Sequence, residues 1–307
     1  MIVCAQATFG QPTTGEYRPE FVYTGSSRPT VATAIDELGR VVFEEHSDQF
    51  PYLSLGVSLQ NGWLVRLDGH GSAKGMNNLG RIAGFSGLLP RATIWDLDHG
   101  YQFLMPHGSA SWATDINDQD TAVGYIPGQG FAWSNGQISW LRQSIAAYCI
   151  SETGVIGGVA RTENGLSPAI WQEESLRLPP GKRREGAVFG INKNGLAVGS
   201  SGRRAFVWDT SLNQIIWLKL AGFRLEARAV NDSGVVVGTA TSVTSGHKQP
   251  FVWSADNGLR WLSLGWSGRS GEASDINNAG EIVGYRRLKT FPTEVAEVSA
   301  TLWVPRR

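Results

Sequence analysis

The stretch Thr114-Asp115-Ile116-Asn117-Asp118-Gln119-Asp120-Thr121-Ala122-Val123-Gly124-Tyr125 decides the fold, because variants of it recur along most of the chain. We call the residue at the position of Asn117 the anchor of each copy. Seven anchors follow one another at intervals of roughly 40 residues, namely Asp36, Asn77, Asn117, Ser151, Asn192, Asn231 and Asn277. A repeat of this length indicates one supersecondary unit that is copied along the chain.

Each copy reads as short β-strands joined by tight turns. A glycine, or Asp120, follows three positions after the anchor, and an apolar pair then leads to a second glycine, as in Val236-Val237-Gly238. Asn and Gly at this spacing are typical of a hairpin turn, whose residues accept positive φ. A third strand carries the pattern of Ala205-Phe206-Val207-Trp208, and a turn such as Asn135-Gly136 leads to a fourth, which ends in pairs such as Trp217-Leu218. The repeat therefore predicts a four-stranded meander.

Seven such units predict an all-β fold, a seven-bladed β-propeller of four-stranded antiparallel blades. The last copy stops at Trp303 without a fourth strand, and the β-prone run Glu20–Thr24 near the N-terminus is free to supply it. Closure by this N-terminal strand would leave no unpaired seam in the ring. We therefore predict a single domain over residues 1–307, with a closing segment in 1–30 and repeats near 31–67, 72–104, 112–141, 146–178, 187–218, 226–262 and 272–303.

Three blocks of the repeat resemble a known family, the bacterial HAF repeat: Thr114–Asp118 with Gly124-Tyr125, Ala205–Trp208, and Asp275–Asn278 with Gly284-Tyr285. The resemblance covers residues 31–303. It implies a propeller of a kind often found in extracellular proteins, and it implies no particular reaction. The histidine of the family's His-Ala-Phe signature is replaced here, since its neighbourhood holds Gly130, Pro168, Arg204 and Pro250.

Composition limits the classes of partner. The formal net charge of the 307 residues is zero, so no overall field favours nucleic acid or an anionic membrane surface. Cys4 and Cys149 are the only cysteines, which argues against a disulfide framework or a cysteine zinc site. No apolar window reaches the length of a membrane span, and the N-terminal residues do not have the form of a signal peptide. As written, the chain is expected to be cytoplasmic, and secreted if an export signal has been removed.

The loops of the repeat divide between the two ends of the predicted ring. In a four-stranded meander, the second-to-third loops and the connections between blades lie at the same end. Here these segments are long and irregular, for example Thr239–Gln249 within a copy and Ser263–Glu272 between copies. We call this end the irregular-loop face. Because binding sites usually occupy such loops, we expect the function to lie here.

The first strand of each copy is expected to be innermost, since alanines recur four residues before most anchors and small side chains suit a crowded axis. Beside them runs a row of dissimilar residues that would ring the channel mouth, namely Lys74, Thr114, Tyr148, Phe189, Arg228 and Ser274, with Trp112, Glu226 and Glu272 just above. The predicted ligand-binding residues are Lys74, Trp112, Tyr148, Arg203, Arg204, Arg228, Trp266, Arg269 and Arg286. The candidates for acid–base catalysis are His70, His107, Glu226 and Glu272.

The sequence predicts no metal site and no cofactor. The string Asp115-Ile116-Asn117 resembles part of a calcium loop, but Gln119 fills the next ligand position and no Glu closes the loop, so these residues are interpreted as turn formers. The histidines do not have the spacing of a metal-ligand motif. No nucleophile elbow, phosphate-binding loop or dinucleotide fingerprint is present. The tryptophans that recur in the third strand are predicted to be wedges between blades.

Two functions remain open at this point. The first is a binding scaffold whose irregular-loop face recognises a protein partner, or an anionic or carbohydrate ligand, through Arg, Trp and His. The second is an enzyme, a hydrolase or lyase, with an acid–base site at the channel mouth. No nucleic acid and no membrane partner is expected, and the oligomeric state is open.

Overall fold

The computed structural model describes residues 6–8, 17–22, 28–46, 54–58, 64–67, 71–106, 110–173, 175–181, 185–289 and 296–306. The regular structure in these residues is β-structure throughout. Two short strands come first, β1 (Gln6–Thr8) and β2 (Tyr17–Phe21). Within the described ranges, no helix of the length and apolarity needed to cross a membrane is found.

The remaining strands fall into sheets of consecutive antiparallel strands, which we number as blades in chain order. Blade one holds β3 (Thr30–Ile35), β4 (Val41–Glu45), β5 (Ser54–Ser58) and β6 (Leu64–Arg66). Blade two holds β7 (Gly71–Met76), β8 (Arg81–Ser86), β9 (Arg91–Asp96) and β10 (Gly100–Phe103). Blade three holds β11 (Trp112–Ile116), β12 (Ala122–Ile126), β13 (Gln129–Ser134) and β14 (Gln137–Trp140).

Four more sheets complete the described part of the chain. Blade four holds β15 (Ser144–Ile150), β16 (Ile156–Thr162), β17 (Gly165–Gln172) and β18 (Ser175–Arg177). Blade five holds β19 (Gly186–Ile191), β20 (Leu196–Ser201), β21 (Arg204–Asp209) and β22 (Gln214–Lys219). Blade six holds β23 (Phe223–Val230), β24 (Val236–Ser242), β25 (Lys248–Ser254) and β26 (Gly258–Trp261). Blade seven holds β27 (Gly268–Ile276), β28 (Ile282–Lys289) and β29 (Ala296–Pro305).

The predicted fold class needs correction, because the blades are not uniform and the closing strand shares only Glu20 and Phe21 with the predicted run Glu20–Thr24. β1 pairs in parallel with β22, so blade five is a five-stranded sheet. The strand that pairs with β29 is β2, which begins at Tyr17 and contains Pro19. The predicted run Glu20–Thr24 begins directly after this proline. Pro19 is tolerated inside β2 because an outermost strand does not use its outward N–H groups in the ladder.

The anchors differ from the predicted turn residues. Positive φ occurs three positions later, for example at Gly80 (86°) and at Asp120 (58°), and the anchor asparagines do not share it. Instead, Asn117 Oδ1 accepts hydrogen bonds from the backbone N–H of Gln119 (3.2 Å) and Thr121 (3.0 Å), and its Nδ2 donates to the carbonyl of Ser151 in the next blade (3.2 Å). An amide group suits this position because it accepts and donates at once.

The core lies between neighbouring blades. The third-strand tryptophans Trp95, Trp171, Trp208 and Trp303 are fully buried. Trp208 of blade five, for example, shares one apolar cluster with Cys149 of blade four. Each such indole removes roughly 150–250 Å² from water. The prediction that these tryptophans are wedges between blades is confirmed.

Candidate functional site

Each blade carries a β-bulge at the same place in its first strand. In blade three, Ala113 pairs with Gly124 and Asp115 pairs with Val123, which leaves Thr114 outside the ladder. The residues skipped in this way are Thr33, Lys74, Thr114, Tyr148, Phe189, Arg228 and Ser274. All of these bulge residues line the central channel. A bulge re-aims a side chain, so the variable row that the sequence placed at the channel is confirmed in position, and Thr33 completes it.

Two aspartates also line the channel, where its cavity measures about 160 Å³. Asp115 accepts hydrogen bonds from the backbone N–H of Ile116 (2.9 Å) and, in blade four, of Ile150 (2.9 Å). Asp275 of blade seven likewise accepts from Ile35 of blade one (3.0 Å). Burial raises the pKa of Asp115 to about 7 and that of Asp275 to about 6, in spite of these hydrogen bonds. The interpretation of Asp115 as a turn residue is therefore wrong, because its carboxyl group joins two inner strands.

Aromatic side chains follow one side of the channel mouth from blade three to blade five. Trp112 stacks on Tyr125 with ring centroids 5.1 Å apart, Tyr125 meets Tyr148 edge-on at 6.0 Å, and Tyr148 contacts Phe189 at 5.6 Å. We call these four residues the aromatic arc. Each of them remains partly exposed. The arc thus presents apolar ring surface at the mouth, together with two phenol groups.

Two of the bulge residues are cations with carboxylate partners. Arg228 lies with its guanidinium 4.7 Å from the ring centroid of Phe189, at the end of the aromatic arc, and donates to Glu226 at 2.6 Å. Lys74, in blade two, is 3.4 Å from Glu44. Both ion pairs are partly exposed on their cationic side. They place charged donors and acceptors in two separate parts of the ring.

Glu272, a carboxylate at the mouth, accepts hydrogen bonds from side chains of two blades. Lys248 of blade six and Tyr285 of blade seven both donate to its Oε1, each at 2.5 Å. Burial would raise the pKa of Glu272, but the hydrogen bonds from Lys248 and Tyr285 outweigh it and hold this pKa below its ordinary value. Glu272 is therefore ionised at neutral pH.

A larger cavity lies beside blade six at the irregular-loop face, where Glu272 of blade seven and Arg203 of blade five also border it. It measures about 520 Å³ and is bordered by Arg203, Arg224, Arg228, Lys248, Glu226 and Glu272, among others. We call it the six–seven cavity. Arg228 borders both this cavity and the channel, so the two spaces meet at its side chain.

The structure brings together only part of the predicted site. Lys74, Trp112, Tyr148, Arg203, Arg228, Glu226 and Glu272 lie at the mouth or in the six–seven cavity. Arg204 and Arg269 are exposed and border neither space, and Trp266 is 89 % exposed. Arg286 is buried in blade seven, where it donates to the carbonyl of Leu264 (2.9 Å) and to Thr301 Oγ1 (3.0 Å). His70 and His107 lie outside the described residues.

Sequence reasoning missed a second variable row, which follows the second glycine of each copy or the residue in its place. Its members are Glu44, Phe85, Tyr125, Val159, Ser200, Thr239 and Tyr285. In the ladder they stand opposite residues just before the bulge, as Tyr125 does with Trp112 and Tyr285 with Glu272. The sequence does carry a signal for this row, because the residue that follows the repeated second glycine differs from copy to copy. Among the described residues, no group of three or more His, Cys, Asp or Glu side chains is arranged to hold a metal ion.

Several solved structures share the propeller fold of this chain. A streptogramin B lyase superposes with a TM-score of 0.67 at 11% identity, covering 94% of this chain and 98% of its own. A virginiamycin B lyase from Staphylococcus aureus gives 0.61 at 9% identity, covering 93% and 98%. An acylaminoacyl peptidase from Pyrococcus horikoshii gives 0.56 at 11% identity, covering 90% of this chain and 51% of its own. At such identities the likeness shows the fold alone.

No family model matches the chain, and no curated protein matches it. The resemblance to the HAF repeat, the expected location in the cell and the recognition of a protein partner therefore stay predictions.

Proposed function

We propose that this β-propeller is a binding scaffold that holds a carbohydrate at the mouth of its channel on the irregular-loop face. The observation that carries the proposal is the aromatic arc, which ends at the ion pair between Arg228 and Glu226. A sugar ring has apolar C–H groups on its faces and hydroxyl groups around its edge. Aromatic rings cover such a face, and a carboxylate and a guanidinium bind hydroxyls as acceptor and donor.

The size of the adjoining space agrees with a small ligand. The six–seven cavity, which meets the channel at Arg228, measures about 520 Å³. Sites for small molecules generally span about 300–1,000 Å³ and combine apolar surface with a few fixed polar groups. The aromatic arc supplies the first property, and the paired charges of Glu226 and Glu272 supply the second.

The proposal is tested by isothermal titration of the protein with a panel of monosaccharides and disaccharides. We expect at least one sugar to bind. Trp112→Ala should lower the affinity for this sugar by about tenfold, because the stacking surface is shortened. Trp266→Ala is the matched control, since this indole is 89 % exposed and lies apart from the arc. The proposal is wrong if no sugar of the panel binds, or if both variants bind equally well.

The alternative function as an enzyme is supported less well by the mouth. Glu226 and Glu272 border one cavity, as a pair of catalytic carboxyl groups would. Glycoside hydrolysis, however, needs one protonated and one ionised carboxyl group, and the lowered pKa of Glu272 suits only the ionised role. Turnover of the bound sugar in the titration cell, abolished by Glu272→Gln, would favour the enzyme over the scaffold.

A further inference from the structure

The six–seven cavity carries more positive than negative charge. Four cationic side chains border it, Arg203, Arg224, Arg228 and Lys248, against the carboxylates of Glu226 and Glu272. Arg228 is paired with Glu226, and Lys248 with Glu272. Arg203 and Arg224 have no carboxylate partner among the described residues. The cavity therefore holds two uncompensated guanidinium groups.

A buried hydroxyl group in the same cavity has no partner. Thr239 is only 4 % exposed, and its Oγ1 makes no hydrogen bond within the described residues. Thr239 also borders the six–seven cavity. A buried polar group without a partner is uncommon and is costly to the folded protein, so the Thr239 hydroxyl points to a ligand as its hydrogen-bond partner.

The strand pairing within blade six places Arg224, Lys248 and Thr239 on one face of the sheet. Thr241 pairs with Arg224 on one side and with Lys248 on the other. Thr239, two residues away on the same strand, therefore projects to the same side, and Glu272 of blade seven borders the same cavity. Arg203 reaches the cavity from blade five, whose loop accepts a hydrogen bond at the Arg203 carbonyl from Leu225 (3.2 Å). Guanidinium, ammonium and hydroxyl donors thus converge from two blades.

We propose that the six–seven cavity binds the phosphate of a phosphorylated sugar. A phosphate monoester carries close to two negative charges at neutral pH and three strong acceptor oxygens, which match two unpaired guanidinium groups and an unpartnered hydroxyl. Arginine suits this role because its planar donors bind phosphate in pairs. The sugar part of the ligand rests on the proposed function, because it uses the aromatic arc, whereas the phosphate part rests on the cavity alone.

The probe for the phosphate part is inorganic phosphate, titrated into the full chain by calorimetry at low ionic strength. We expect Arg203→Ala and Arg224→Ala each to weaken phosphate by about tenfold or more. Arg204→Ala is the matched control, because Arg204 is the adjacent, exposed arginine and does not border the cavity. Its affinity for phosphate should equal that of the parent protein.

Thr239→Val separates binding from folding. The substitution keeps the shape of the side chain and removes the unpartnered hydroxyl, so the melting temperature of the ligand-free protein should stay the same or rise, while phosphate binds more weakly. The proposal is overturned if phosphate does not bind, if Arg204→Ala weakens it as much as Arg203→Ala, or if Thr239→Val leaves the affinity unchanged.

Failure of the sugar proposal gives a different pattern. Trp112→Ala should leave inorganic phosphate unaffected, because the aromatic arc does not border the six–seven cavity. If phosphate binds as described while no sugar binds, the cavity is an anion site and the carbohydrate proposal is wrong. If sugars bind and phosphate does not, the phosphate assignment is wrong and the sugar proposal stands.

Discussion

Asn277 Nδ2 donates a hydrogen bond to the carbonyl oxygen of Asp36 at 3.1 Å, which joins the last blade to the first. The same bond connects other anchors, namely Asn77 to Asn117, Asn117 to Ser151, Asn192 to Asn231, and Asn231 to Asn277. The carboxylate side chain of Asp36 has no N–H to donate, and Arg40, whose Nε donates to Asp36 Oδ2 at 2.5 Å, donates to the carbonyl of Asn78 instead (2.8 Å). A belt of side-chain hydrogen bonds therefore runs around most of the ring.

The belt predicts a stability cost for Asn231→Asp. The substitution keeps the oxygen that accepts from the Val235 N–H at 3.0 Å but removes the donor to the Asn277 carbonyl. We expect the free energy of unfolding to fall by about 1–3 kcal/mol, because a buried carbonyl loses its partner and faces a carboxylate. Urea unfolding followed by circular dichroism measures this free energy. Asn257→Asp, in an exposed turn, is the control and should change the free energy of unfolding by less than about 0.5 kcal/mol. Equal losses in the two variants would show that the belt does not stabilise the ring.

The raised pKa of Asp115 predicts a pH-dependent stability. Its pKa is about 7 in the folded protein against an ordinary value of 3.8, so the folded state binds more protons than the unfolded state between these values. The stabilisation is complete below pH 3.8 and is lost as the pH rises through 7. Relative to Asp115→Asn, the parent protein should lose on the order of 4 kcal/mol between about pH 4 and about pH 8.

Urea unfolding across this pH range measures the difference between the two proteins. The lost acceptor in Asp115→Asn shifts its stability equally at every pH, so the slope and not the level carries the result. Asp256→Asn, in an exposed turn, should leave the pH dependence of the parent unchanged. A constant difference between the parent and Asp115→Asn would show that Asp115 stays ionised.

Arg286 is predicted to act on stability and not on ligand binding. Arg286→Ala removes the donors to Leu264 and Thr301 inside blade seven, so we expect a loss of about 2–3 kcal/mol in the free energy of unfolding. Arg287→Ala changes the neighbouring exposed arginine and should cost less than about 0.5 kcal/mol. Affinity for inorganic phosphate should be equal in both variants. A selective loss of phosphate binding in Arg286→Ala would restore Arg286 to the ligand site.

The N-terminal strand β2 is predicted to protect the edge of blade seven. Deleting residues 1–22 removes all five pairs between β2 and β29, from Tyr17 with Pro305 to Phe21 with Thr301. The exposed edge should lower the melting temperature and promote association, since an unpaired strand accepts another chain. Deleting only residues 1–16 keeps β2 and is the control. Identical melting curves and elution volumes for the two truncated proteins would show that β2 does not stabilise the ring.

Much of the fold could be predicted from the sequence because it depends on local patterns. Glycine three positions after all anchors but Asn117, alternating apolar residues and the recurring third-strand tryptophan each describe a short segment and its burial. Repetition multiplies such a signal. The errors came where one residue type satisfies two requirements, as with Pro19 inside an edge strand and the anchor asparagines that bind the next blade.

The candidate site was predicted in part. Lys74, Tyr148 and Arg228 were found because they vary at one position of an otherwise regular repeat, which is visible in the sequence. Arg286, Trp266 and Arg269 were included only because they lie in loops at the same end of the ring. The position of a loop residue in the sequence does not tell how far its side chain lies from the channel. The sequence therefore could not distinguish these three residues from Arg203, which does border a cavity.

By itself, the sequence determined the repeating strands, the turns and the inner strand of each blade, because backbone geometry and burial act over a few neighbouring residues. Only the tertiary structure decided which side chains meet. Lys248 of blade six contacts Glu272 of blade seven, and Arg203 of blade five borders the same cavity. The bulges direct seven unlike residues towards one axis. The first two contacts depend on how neighbouring blades pack, and the third depends on closure of the ring, which brings together positions that are far apart in the chain.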